Sequence, residues 1–118
     1  MSVAALEKQM SNARERIALA ELASKLSRNS EFKKLILDNW MTVDASRLAA
    51  LAGDPTITPQ QRADAMEMAK APGHLKRFLR NIELMAEADR ENMAELDQQL
   101  AEARAEEANS DLDVEEER

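Results

Sequence analysis

Between Leu75 and Ala103 the chain repeats one pattern without a break. Leu75, Leu79, Ile82, Ala86, Asp89, Met93, Leu96, Leu100 and Ala103 follow one another at alternating steps of four and three residues. That spacing lines all nine along one stripe of an α-helix, the arrangement by which a helix packs along another helix. Only Asp89 breaks the apolar rule, and it does so in the middle of the run.

A second stripe of the same kind lies near the start of the chain. Val3, Leu6, Met10, Ala13, Ile17 and Ala20 step by three and four, with Ser2 placed to cap the helix. Leu19, Leu22 and Leu26 then widen the apolar face toward the end of this helix, as if it joined a bundle there. The spacing predicts a first helix over about 2–27, ended by the Ser27-Arg28-Asn29-Ser30 turn. Ser30 would cap a second helix over about 30–52, carrying Phe32, Leu35, Ile36, Trp40, Val43, Leu48 and Leu51. With two of the three aromatic residues, it is the expected core helix. Trp40 reads either as a half-buried anchor of that core or as an interface hot spot, a role in which tryptophan is enriched.

Gly53-Asp54-Pro55-Thr56-Ile57 is the clearest turn. Gly53 suits a helix C-terminus, and Pro55 prevents continuation. Thr58-Pro59-Gln60-Gln61 is then a strong helix start: Thr58 caps, Pro59 takes the first helical position and Gln61 closes a capping box. A third helix is predicted over 59–71, with Ala63, Met66, Ala69 and Met68 facing inward. Pro72-Gly73 should end or kink it. A kink into a fourth helix over 72–108 is the favoured reading, because no polar capping residue precedes Pro72. Residues 109–118 are dense in acid and poor in apolar side chains, and read as a disordered tail.

These elements predict an all-α fold: a small helical hairpin head, with long N- and C-terminal helices forming an antiparallel coiled-coil-like stalk. Residues 1–108 would make a single elongated domain, each stalk helix extending roughly 35–50 Å. The rival arrangement uses the seams between copies. A carboxylate in a seam is costly unless it is paired, and polar seam positions can fix register. Arg16 or Arg14 of the first helix is the expected partner for Asp89.

Composition narrows the function. The chain has no cysteine, which excludes disulfides, thiol nucleophiles and cysteine-bound metals. No stretch approaches the ~20 apolar residues of a membrane span, and Met1 to Glu7 lacks the layout of a signal peptide. A soluble, intracellular protein is therefore expected. His74 is the only histidine and has no companion ligands. Carboxylates spaced as Glu83/Glu87 and Glu91/Glu95 are solvated helix faces rather than acid/base pairs. No cofactor or metal site and no enzyme activity are expected.

Charge is unevenly spread. Residues 1–80 carry 13 Lys/Arg and 9 Asp/Glu, whereas residues 81–118 carry 3 and 14, within a net charge of −7. Lys76, Arg77 and Arg80 form a basic cluster on the fourth helix. The turn at 53–58 invites a DNA-binding helix-turn-helix reading. Yet Gln60, Gln61, Arg62, Asp64, Glu67 and Lys70 make the third helix nearly neutral, which argues against direct nucleic-acid binding. The acidic run suggests another partner. Glu83, Glu87, Asp89, Glu91, Glu95, Asp97, Glu102, Glu106 and Glu107 could present regularly spaced carboxylates to a basic, nucleic-acid-binding groove of another protein.

The runs Glu31-Phe32-Lys33-Lys34-Leu35-Ile36-Leu37-Asp38, Ala45-Ser46-Arg47-Leu48, Asp54-Pro55, Thr58-Pro59-Gln60-Gln61-Arg62 and Leu75-Lys76-Arg77-Phe78-Leu79-Arg80 resemble a group of small acidic helical proteins of tailed bacteriophages. The resemblance covers roughly residues 5–105 and departs from the group at Pro72-Gly73. It implies a virion- or assembly-associated role in the host cytoplasm or the virion. The expected partners are capsid or portal components, or, through the seams used between copies, the chain itself as a homo-oligomer. The first expectation is thus a non-enzymatic bacteriophage structural or head-assembly interaction protein. The alternative is an acidic phage-encoded inhibitor of a host nucleic-acid-binding protein. The residues expected to meet a partner are Trp40, Lys76, Arg77, Arg80, Glu87, Asp89, Glu91, Glu95 and Asp97.

Overall fold

A computed structural model describes the backbone of residues 1–116 and the side chains of residues 1–112. Every element in that range is helical. In chain order they are α1 (Val3–Arg28), α2 (Ser30–Phe32), a π-helix (Lys33–Asp44), α3 (Ala45–Ala52) and α4 (Pro59–Glu116). The contacts group into two units, where the sequence predicts one domain over 1–108. One unit joins Met1–Ala20 to the chain from Glu83 onward, and the other is Glu21–Ile82.

The first unit is built from the two seams. Ser2 caps α1, its Oγ accepting the Ala5 N–H at 3.1 Å. Leu6, Met10 and Leu100 form a buried cluster, with Val3, Met93, Leu96 and Ala103 packed against it. Ala13, Ala20 and Ala86 are fully covered. Two ion pairs fix the direction of pairing: Arg104 reaches Glu7 at 3.1 Å, and Arg16 reaches Asp89. As numbers rise along α1 they fall along α4, so the two segments run in opposite directions. A buried leucine or methionine contributes about 1.5–3 kcal/mol, so Leu6, Met10 and Leu100 supply most of the apolar stabilisation here.

The second unit buries fewer apolar side chains fully. Asn29, rather than the expected Ser30, caps α2, because its Oδ1 accepts the N–H groups of both Glu31 (3.0 Å) and Phe32 (2.9 Å). The next twelve residues are π-helical rather than α-helical. Hydrogen bonds to the fifth residue widen the turn. Covered positions therefore recur every four residues, at Phe32, Ile36, Trp40, Asp44 and Leu48, with Leu37, Met41 and Ala45 beside them. Leu35 and Val43, expected in the core, fall out of that phase and stand 63% and 64% exposed. The expected widening of α1 into a bundle also fails: Leu19, Leu22 and Leu26 are exposed.

The 53–58 turn forms as the sequence requires. The Asp54 carboxylate accepts the Thr56 N–H (2.8 Å) and Oγ1–H (2.7 Å). The capping box closes both ways, Gln61 N–H to Thr58 Oγ1 at 3.1 Å and Thr58 N–H to Gln61 Oε1 at 3.0 Å. Arg62 ties the turn to α4 by donating to the Ile57 carbonyl at 2.8 Å.

From Pro59, α4 runs as one helix through Pro72-Gly73 to Glu116, in place of two helices over 59–71 and 72–108. Pro72 is buried, so packing offsets the roughly 3 kcal/mol that an interior proline costs. The covered stripe runs through Arg62, Ala65, Ala69, Pro72 and Leu75 and on to Ala103. Its only pair of consecutive three-residue steps falls at Pro72, where the phase adjusts. Met66 and Met68 stand outside the stripe and are exposed, as is Ala63, contrary to expectation. Residues 109–116, expected to be a disordered tail, continue the helix. No glycine or proline follows Gly73 to stop it, and Ala and Glu favour it. The last two residues of that expected tail lie outside the described range.

Candidate interaction site

Trp40 sits half-buried on the π-helix and lines a surface groove of about 510 Å³ with Leu35, Ile36, Asn39 and Asp44. The groove exists because the π-helical turn displaces Leu35 outward while holding Ile36 and Trp40 against the unit. Asp44 at its edge is held by Arg47, whose Nη2 donates to Oδ1 at 2.8 Å. A second groove, about 420 Å³, lies between the π-helix and α4. Leu37, Met41, Pro72 and Leu79 give it apolar walls, and Thr42 and Lys76 supply its polar groups. The Thr42 hydroxyl is already committed to the Leu37 carbonyl at 3.0 Å.

Lys76, Arg77 and Arg80 are exposed on α4 and make no ion pair with a described residue. The same holds for Glu87, Glu91, Glu95 and Asp97, although Glu95 accepts from Gln99 at 3.2 Å. Asp89 differs from these carboxylates. Its side chain is only 14% exposed, and Arg16 clamps it with two of its three guanidinium nitrogens, Nε at 2.6 Å and Nη2 at 2.9 Å. The Arg16 hydrogen bonds hold the Asp89 carboxyl below the usual carboxylate range, and the same bond raises Arg16. Asp89 is thus a satisfied seam position rather than a charge free to meet a partner. Asp54 is also held low, by the Thr56 hydroxyl first and the Thr56 N–H second.

The predicted partner-binding residues therefore do not converge on one spot. Trp40 belongs to the π-helix groove, the three cations form a cluster on α4, and the carboxylates are strung farther along that helix. His74 is exposed within α4 rather than at a helix start. No three His, Cys, Asp or Glu side chains among the described residues converge as metal ligands. No helix of the described residues is long and apolar enough to cross a membrane.

Sequence reasoning missed the exposed leucines and Val43, because helical periodicity placed them inside. The signal available was the lack of a matching apolar stripe elsewhere in the chain to cover them. No protein-family model matches the chain, and no curated protein or solved structure is similar enough to it to count as a match.

Proposed function

We propose that this chain is a non-enzymatic interaction protein that works through helix packing and charge complementarity. In this reading α1 and α4 form an antiparallel coiled-coil-like stalk, and the helical hairpin of the second unit is a head that meets the partner. The setting follows from the resemblance to small acidic phage proteins: head assembly or the virion, in an infected host, with a capsid or portal component as partner. The observation that carries the reading is the set of large apolar side chains left at the surface of the unit that also holds three cations without an ion pair. Leu22, Leu35, Val43 and Phe78 are exposed in the unit that also holds Lys76, Arg77 and Arg80. Apolar surface rimmed by charge marks interaction sites.

The test is retention of phage head proteins by the full immobilised chain, wild type against Leu35→Glu. Retention by the wild type and its loss in the variant are expected. A wild type that retains no head protein at low salt contradicts the reading.

A second reading is favoured by the length of α4. It carries the unpaired carboxylates of Glu87, Glu91, Glu95 and Asp97 on a continuous helix, as an acidic inhibitor of a basic nucleic-acid-binding groove would. That reading predicts recovery of a basic, DNA-binding host protein by the wild type and not by a chain with these four residues changed to amides.

A further inference from the structure

One face of α4, away from the seam, carries Arg77, Arg80, Leu84, Glu87 and Glu91. Their steps are three, four, three and four, so they form a single stripe. All five are exposed, Leu84 to 51%. Counted from Leu84, the cations stand seven and four residues before it, and the carboxylates three and seven residues after it. The stripe is therefore its own electrostatic complement when it is reversed.

Within one chain Arg77 cannot reach Glu91, and Arg80 makes no ion pair with Glu87 in the structure. Arg77 and Glu91 are roughly 21 Å apart along the helix, and Arg80 and Glu87 roughly 10 Å. Arg77 has no acidic residue, and Glu91 no basic one, three or four positions away in either direction. The one acidic neighbour of Arg80 at such a position is Glu83, which is taken by Arg90 at 3.2 Å.

We propose that this stripe pairs with the same stripe of a second copy, antiparallel, about a two-fold axis through Leu84. Arg77 then meets Glu91 of the second copy, Arg80 meets its Glu87, and the two Leu84 side chains pack against each other. A two-fold contact of this kind closes on itself and stops at a dimer. One helix-to-helix contact is smaller than a standard interface of roughly 1,600 Å², so the dimer is weak, and its exposed ion pairs make it salt-sensitive. The inference concerns the chain alone and is tested without any head protein. Its failure therefore leaves the assembly reading untouched, and the reverse also holds.

Sedimentation equilibrium of the full chain tests it, at about 50 mM and about 500 mM salt, either side of the concentration at which the Debye length is ~10 Å. The expected result is a monomer–dimer equilibrium at low salt whose Kd rises at least about tenfold at high salt, as for an interface lying largely on exposed charge pairs. The chain with Arg77→Glu and Arg80→Glu, all acidic along the stripe, should be monomeric. So should the chain with Glu87→Arg and Glu91→Arg, all basic. An equimolar mixture of the two should dimerise. Three results would overturn the proposal: a wild type that stays monomeric at low salt, an all-acidic variant that dimerises as the wild type does, or a mixture that does not associate.

Discussion

The two units use the same kinds of residue to different ends. In the first, Leu6, Met10 and Leu100 meet across opposed seams and are covered. In the second, only Leu48 among the large aliphatic side chains is buried, and Leu22, Leu26, Leu35, Val43 and Phe78 face solvent. The charge divides nearly along the same line, acidic from residue 81 onward and mildly basic before it. Apolar content alone therefore does not decide what is core. Two stripes with matching periods bury each other, whereas a helix that changes period strands part of its apolar face outside. The first unit is built to hold itself together. The second buries fewer large side chains, although the first also leaves Leu19, Leu84, Met85 and Leu112 exposed outside its seams.

The largest expected effect breaks the contrast where it is strongest. Leu100→Ala should lower stability by about 2–4 kcal/mol in thermal or denaturant unfolding, through lost burial and the cavity left behind. Leu35→Ser in the second unit should change it by no more than about 0.5 kcal/mol, as at other exposed positions. Equal losses at the two sites would erase the distinction between the units.

Asp89 comes next. Asp89→Ala should cost about 1 kcal/mol, a figure held down because Arg16, 41% exposed, can rehydrate once it loses its partner. Asp89→Leu should be neutral or stabilising, since the seam position itself is mostly covered and a well-packed apolar residue commonly matches a partly covered ion pair. The pH dependence has a definite sign. The carboxyl is held below its ordinary value of 3.8, so the pair contributes fully above that pH. Its contribution is lost as pH falls through the depressed folded value, and acid unfolding of Asp89→Leu should lack that component.

Thr58→Ala opens the capping box of α4 and should cost about 1 kcal/mol. The smallest shift is a gain. A Cβ added at Gly73 meets nothing within 4 Å, and α4 is regular there. Gly73→Ala should therefore stabilise by about 0.5–1 kcal/mol in unfolding measurements. A loss would mean that the backbone beside Pro72 needs glycine.

Much of the first unit was legible in the sequence because it rests on one period. The six seam positions of that unit, Ala86, Asp89, Met93, Leu96, Leu100 and Ala103, are covered to some degree; in the second unit the capping box at Thr58 also forms with the expected partners. Arg16 rather than Arg14 takes Asp89, a choice that seam spacing alone left open. The second unit was less legible. A π-helix has no signature in hydrophobic spacing, and reading 33–44 at the α-helical period put Leu35 and Val43 inside. Passage through Pro72 depended on its burial, which local propensity does not report. Lys76, Arg77, Arg80, Glu87, Glu91, Glu95 and Asp97 are exposed, whereas Asp89 is withdrawn by Arg16, as its seam position and expected arginine partner indicated.

Amide hydrogen exchange on the free, full chain tests the contrast between the units most directly, because opening free energy follows local packing. The account predicts strong protection across residues 86–103 of α4 and clearly faster exchange across the π-helix, residues 33–44. Protection of the π-helix equal to that of the seam would contradict it, since the second unit would then be as self-sufficient as the first.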